Sequence, residues 1–345
     1  MRFHRMSGLD AEQLDELEEM VSELMDEPWD KRTGRMRELA FREALIVTSG
    51  YMRNNITEDV WADIFGVDQS TISRCITFLT PLVEKATEEF RPSAEDAAEA
   101  TRRAVALVDG TLWPCWSWAG ERELWAGKYK TTGHGALIIT NLAGRITFVS
   151  ELIPGNQHDM AKLKGSECEM ILKLAGGVIG DKGFIGTDYI TTPVRKPENR
   201  ELYIREHDYN NQISSLRSPV ERAVASLKKW RILFTDYRRP LKTFLSSFRA
   251  AIGLYFFKES LHNPPVVKSL FAFSSKLAPD GYVSVRLGVV GCCRAREWLG
   301  RRACVRDVSR PLATESFPGC PPGPWCWLLR RPAGHRPGGG RRWRR

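Results

Sequence analysis

Apolar positions along the first ninety residues recur at helical spacing. Leu14, Leu17, Val21 and Leu24 fall on one stripe of an acidic segment covering 8–26, which predicts a helix packed on its neighbours. The stripe lasts under three heptads, too short for a dimer zipper. A second helix is predicted over about 35–52, ended by the turn residues Asn54-Asn55. Thr57 then reads as an N-cap, with Glu58 and Asp59 in the first turn, where the helix dipole favours acids. Arg91-Pro92-Ser93 breaks the helical run.

Beyond residue 100 the period changes. Residues 104–108 form an apolar strand, and 136–140 and 145–150 read as strands around the turn Asn141-Leu142-Ala143-Gly144. Val178-Ile179-Gly180 leads to another strand end at Asp181. Helices are predicted over about 219–233 and 241–260. Strands followed by strand–helix alternation predict an α/β fold, a mixed sheet flanked by helices, behind an N-terminal all-α domain. The expected organisation is a helical domain over 1–92 and an α/β domain over 100–262. The periodicity fades from about Pro264, and 275–345 is assigned no packed core.

Charge changes the picture less than its total suggests. The chain has 345 residues and a net charge of +9. Residues 281–345 hold fourteen arginines, no lysine and three acids, so 1–280 carry a net −2. Basic character belongs to the tail, and any nucleic-acid argument must rest on where charges sit in the body. An arginine-rich, lysine-free tail is what GC-rich DNA yields when it is read without selection for a fold. A frameshift or read-through is favoured over a disordered basic arm gripping phosphates. Cys75, Cys115 and Cys168 are scattered through the body and read as buried apolar residues. The eight cysteines show no zinc spacing, and no disulfide framework is expected. With no apolar run of membrane-spanning length and no signal-peptide pattern, the expectation is a cytoplasmic protein.

Two constellations carry chemistry. The first is 60–74. Ala62 suits a close helix crossing, Gly66 a positive-φ turn, and Val67 and Ile72 buried anchors. This is helix-turn-helix patterning. Its second helix would present Gln69, Ser70, Thr71, Ser73 and Arg74, side chains suited to base edges and phosphates, with Asp68 as a cap. A helix pair that only packs is the plainer alternative.

The second is a set of three acids. Asp109 and Asp181 each follow an apolar strand and precede a glycine-containing turn. Glu221 falls in a helix with Pro219 in its first turn, where proline is tolerated. Val220, Val224, Leu227 and Trp230 make its apolar stripe, while Arg217, Glu221 and Lys228 share another face. Phosphodiester chemistry needs an activated oxygen nucleophile and a stabilised leaving oxygen. Two Mg²⁺ ions, with Mn²⁺ a possible substitute, supply both, and they bind hard carboxylate oxygens. Asp109 would bridge the two ions, with Asp181 and Glu221 completing one site each. Glu201 and Glu206 are the alternatives for the third acid.

With these residues in view, the chain resembles insertion-sequence transposases of the Harbinger-like DDE class, which join a helix-turn-helix to an RNase H-like catalytic core. The matching stretches are Val108-Asp109-Gly110-Thr111, Gly127-Lys128-Tyr129-Lys130, Pro154-Gly155-Asn156-Gln157-His158-Asp159, Asp181-Lys182-Gly183-Phe184-Ile185-Gly186, 211–217, Val220-Glu221-Arg222 and 227–233. Phe184 stands where that class usually has Tyr. The resemblance implies that Asp109, Asp181 and Glu221 are the catalytic acids. It also implies a double-stranded DNA substrate, with terminal inverted repeats and a target, and a homodimer on DNA. Lys128, Lys130, Arg217 and Lys228 are candidate DNA contacts. His158 and Asp159 either support the metal site or contact the DNA end, or merely open a helix. Trp113, Trp116 and Trp118 are expected in core or interface packing rather than stacked on bases. The rivals to a strand transferase are a relic that only binds DNA, a metal-dependent nuclease on the same fold, and an interaction protein built on the acidic N-terminal helix.

Overall fold

A computed structural model describes residues 4–30, 36–116 and 120–262. The predicted tail and Trp118 lie outside the described residues. The helical first part contains α1 (His4–Ser7), α2 (Ala11–Glu23), α3 (Phe41–Asn54), α4 (Glu58–Phe65), α5 (Gln69–Ala86) and α6 (Ala94–Thr101). Helix α2 opens with a reciprocal capping box between Asp10 and Gln13 and buries Leu14, Leu17 and Val21, so its stripe faces inward. Helix α3 starts at Phe41, later than apolar spacing predicts, where Glu43 reaches back to the Ala40 N–H at 3.1 Å. Asn55 closes it in the left-handed conformation, φ +46°. Glu58 and Asp59 occupy the first turn of α4 as expected, although the Thr57 hydroxyl makes no cap bond. Helix α6 has too few large apolar residues to be seen by periodicity. It is announced instead by a Ser93–Asp96 capping box directly after Pro92.

The sheet has seven strands: β1 (Val105–Pro114), β2 (Trp125–Ala126), β3 (Thr131–Asn141), β4 (Ile146–Val149), β5 (Ile153–Pro154), β6 (Gly177–Ile179) and β7 (Ile190–Thr191). Helices α7 (Asp159–Leu163) and α8 (Glu167–Leu174) lie between β5 and β6. Helices α9 (Ile204–Leu227) and α10 (Phe244–His262) follow β7. The order is β2-β3-β1-β6-β7, with β4 and β5 also paired to β3. Strand β1 is antiparallel to β3 and parallel to β6. This is the expected mixed α/β sheet behind an N-terminal helical region. Asn141-Leu142-Ala143-Gly144 makes the β3–β4 hairpin, with Gly144 at φ +82°.

Two expectations are corrected. Strand β1 does not end at Asp109; its ladder with β3 continues to Pro114, because Thr111, Leu112 and Trp113 are themselves buried β-formers. Pro219 is not in a first turn. Helix α9 begins at Ile204 and runs through the proline. The ring deprives the Ser215 carbonyl of its helical partner, and Ser215 is exposed, so water can satisfy it.

The two sheet faces bury different layers. Ala106, Val108, Leu137, Ile139, Val178 and Ile190 pack with α6 and α8. Leu107 and Ile179 pack with Ile213 and Val220 of α9 on the other face. That second face continues into a large apolar cluster joining Trp113, Ile138, Ala223 and Leu227 to the N-terminal helices and α10. Helix α10 lies against α5. A side chain at Gly253 would collide with the Thr87 hydroxyl, so glycine permits the close approach there. Phe257 meets Phe90 edge-on at 5.1 Å. Among the described residues no helix is long and apolar enough to cross a membrane.

Candidate active site

Asp109 sits in the interior of β1, opposite Ile138 of β3. Strands β1 and β6 pair in parallel through Leu107↔Ile179. Asp109 and Asp181 each stand two residues beyond that pair, so they leave the parallel ladder side by side, on strands about 4.8 Å apart. Asp109 shares the side-chain parity of Leu107 and therefore faces α9. There Arg217 donates to its Oδ1 at 3.2 Å.

Burial raises the Asp109 carboxyl to about 6. Arg217 and Lys128 oppose this shift, while the neighbouring charges of Asp181 and Asp159 reinforce it. Asp181 caps the 3-10 turn Lys182–Phe184 and accepts the Gly183 N–H at 2.8 Å.

Asp159 is the carboxylate whose weight apolar patterning misses. It is nearly fully buried in the first turn of α7. Lys162 pairs with it at 3.1 Å and Lys128 at 3.6 Å. A side chain on Gly110 would overlap Asp159 Oδ1, and one on Gly183 would come within 2.9 Å of Oδ2. Asp159 thus wedges between the glycines that follow Asp109 and Asp181, and helix-dipole capping alone does not account for that position. The signal in the sequence was the pair of glycines, each needing a reason to lack a side chain. His158 is the exposed N-cap residue of α7, and its side chain makes no cap bond.

Glu221 is exposed on α9. Arg217, Glu221 and Lys228 lie within about 40° around the helix axis. Both cations bracket Asp109: Arg217 bonds it, and the Asp109 charge reaches Lys228, whose ammonium burial nonetheless drives downward. Lys228 Nζ also lies 5.7 Å from the Phe234 ring centre. Among the described residues no three acid, His or Cys side chains are gathered closely enough to hold a metal ion in this arrangement. The donor set still suits one. Asp109 is a desolvated carboxylate with two acids beside it, and a hard divalent cation would relieve that repulsion. The alternatives for the third acid are engaged elsewhere. Glu201 pairs with Lys196, and Arg200 and the Tyr203 N–H hold Glu206 down at about 2.

The helix-turn-helix forms as drawn. Gly66 ends α4 at φ +66°, and α5 starts at Gln69 with Asp68 at its N-cap position. Ile72 is buried and Val67 partly so. Gln69, Ser70 and Arg74 are exposed, with Thr71 and Ser73 half-buried. Gln69 donates to Glu58, Thr71 to Glu38 at 3.1 Å, and Arg74 to Ser70 at 3.0 Å. Sequence reading missed the link behind this helix. Arg239 pairs with Glu58 and bonds Thr77 at 2.6 Å, and Arg238 donates to the Asn55 carbonyl. Trp113 is fully buried and Trp116 exposed. Cys75, Cys115 and Cys168 are free and buried, as expected.

Residues 108–254 match the family described as DDE superfamily endonuclease, and residues 37–89 match the helix-turn-helix of DDE superfamily endonuclease. Both matched stretches are those of DDE superfamily endonucleases, and the chain is similar to the transposases of that superfamily. It is 23% identical over 269 residues to the "Probable transposase for insertion sequence element IS702" of Microchaete diplosiphon, covering 75% of this chain and 95% of that one. It is 28% identical over 206 residues to the "Putative transposase for insertion sequence element IS112" of Streptomyces albus G, covering 59% and 74%. The "Putative nuclease HARBI1" of Rattus norvegicus is 21% identical over 221 residues, covering 59% and 62%. No solved structure matches the chain. The DDE endonuclease family is generally dependent on divalent metal.

Proposed function

We propose that this chain is a DNA transposase that binds the ends of its element through α4 and α5 and cleaves and joins DNA at Asp109, Asp181 and Glu221. The observation that carries the reading is Asp109 on β1 with Asp181 just past the end of the adjacent parallel strand β6, beneath the helix that carries Glu221. Bound at these carboxylates, a pair of Mg²⁺ ions would activate the attacking oxygen and stabilise the leaving one. Asp109, raised to about 6, loses its proton below neutral pH and can then act as a ligand. Arg217 holds Asp109 through one nitrogen, and its Nε is buried without an acceptor among the described residues. Lys228 and Lys128 add positive charge on either side of the acids. Gln69, Ser70, Thr71, Ser73 and Arg74 form the end-reading face, and Lys130, in the turn beside the acids, grips the DNA backbone. Pairing two ends calls for a homodimer on DNA.

The test is a cleavage and joining assay on duplexes carrying the element's own terminal repeats, with Mg²⁺ present. Nicking at the repeat boundary, followed by joining to a second duplex, is expected. Asp109→Ala, Asp181→Ala and Glu221→Ala should each abolish both steps and leave end binding intact. Binding without nicking by the unaltered chain overturns the catalytic reading. A nuclease without strand transfer is the second reading, favoured by the likeness to chains named as nucleases. Hydrolysis with no joined product would select it. If Glu221→Ala cuts normally, the third ligand is another acid.

A further inference from the structure

The β2–β3 turn, residues 127–130, is exposed and stands beside the acids. The Tyr129 N–H closes it onto the Ala126 carbonyl at 3.1 Å. Lys130 adopts φ +50°, a conformation that favours glycine, yet the position carries a long cationic side chain. Tyr129 remains 44% exposed. Its phenol is nevertheless close enough to the acids to feel Asp159 and Asp109, which add to the upward push of burial, with Lys128 opposing. Lys128 Nζ lies 5.4 Å from the Tyr129 ring centre and 3.6 Å from Asp159.

Asp159 already has a permanent partner. The Lys162 side chain is only 5% exposed and stands closer, whereas that of Lys128 is 61% exposed. Lys128 is therefore the surplus cation of the trio, free to leave for a phosphate without stranding a buried charge. The turn thus offers a part-exposed aromatic ring, with a lysine on each side, at the rim of the acid site. Lysines alone suffice to hold a duplex backbone. A ring adds something only when a base is out of the helical stack, because inside a duplex both faces of a base are covered.

We infer that the turn Lys128-Tyr129-Lys130 is a docking point for an unpaired nucleotide of the DNA end, with the Tyr129 ring stacking on its base and the two lysines taking the adjoining phosphates. The inference rests on the reading of this chain as acting on DNA, and it adds that the DNA is frayed where it is cut. The lysines set the strand's path, while Tyr129 makes the site prefer a melted end over a paired one.

The experiment compares two probes: a fully paired duplex, and the same duplex with three unpaired nucleotides at one end, one of them 2-aminopurine. Binding is read by anisotropy and stacking by quenching of the 2-aminopurine emission. The full chain should bind the frayed probe about tenfold more tightly, within the range that one base–aromatic stack provides, and quench its emission. Tyr129→Ala should erase both effects, while Tyr129→Phe and Tyr129→Trp should keep them. Equal affinity of the unaltered chain for both probes, or a preference that survives Tyr129→Ala, overturns the inference. Neither readout requires cleavage. A chain that fails this test but still nicks DNA in an Asp109-dependent manner loses the docking point and retains the proposed function.

Discussion

The recognition helix and the acid site are built in opposite ways. The helix-turn-helix is local: Gln69 to Arg74 are placed by one helix, one glycine turn and two anchors. The acid site is assembled from β1, the exit of β6, the start of α7 and one face of α9, so it exists only when the sheet register is correct. Their partners are opposite too. The polar side chains of α5 are engaged by acids, Glu58 and Glu38. The buried acids are engaged by cations, Arg217 on Asp109 and Lys162 and Lys128 on Asp159. In each region the internal partner has the charge of the ligand we propose for it. Acids stand where phosphates would approach, and Arg217 stands where a metal ion would bind Asp109. Loading either region then means exchanging partners rather than stripping bare polar groups of water, which keeps the unliganded fold satisfied.

Substitutions can break that contrast. Asp109→Ala should give the largest effect, a fall in nicking of about ten thousandfold, or about 5 kcal/mol. A gel-shift on the same DNA should stay within about twofold. Equal losses in both assays would mean that the regions are not separable. Arg239→Ala comes next. Its ion pair with Glu58 is largely buried, with side chains 11% and 16% exposed. Removing one partner strands the other and should cost roughly 4 kcal/mol in urea melts, with binding weakened alongside.

The pH dependence of the metal-free protein should be slightly smaller. The folded chain keeps the Asp109 proton up to about 6, while the unfolded chain releases it near its ordinary value of 3.8. That proton therefore favours folding below about pH 4, and its contribution, about 3 kcal/mol at most, is lost as pH rises through about 6. Asp109→Asn, which is neutral throughout, should remove this slope when melts are compared from pH 4 to 7. A slope unchanged in the variant would assign the titration to another group. Arg74→Ala should have the smallest effect: the salt dependence of end binding falls by about one unit of slope. Cutting at saturating DNA should be unaltered.

What was legible in the sequence follows the same division. The helix-turn-helix could be drawn because Gly66, Val67 and Ile72 act within fifteen residues, and the structure keeps that arrangement. The hairpin at Asn141 was equally local. The extent of β1 was not legible, since what continues it past Asp109 is pairing with β3, and that is a property of another segment. Helix α9 was truncated at Pro219, because a proline reads as a boundary wherever the lost hydrogen bond cannot be seen to face water. Arg238 and Arg239 gave no signal, since their partners Asn55 and Glu58 lie about 180 positions earlier in the chain. Asp159 could be named but not placed. Its burial depends on two glycines far apart in the chain, Gly110 of β1 and Gly183 of the turn that follows β6.

The packing of α10 on α5 has a consequence for how the protein is made. The inner face of the recognition helix, with Ile76, Leu79 and Val83, is covered in part by a segment that leaves the ribosome about 160 residues later. Until then the nascent DNA-binding region carries an uncovered greasy flank. A fragment that stops before Phe244 would keep α4 and α5 and lack the prop behind them, so it should be expressed as a sticky, poorly folded product rather than a free-standing helical domain.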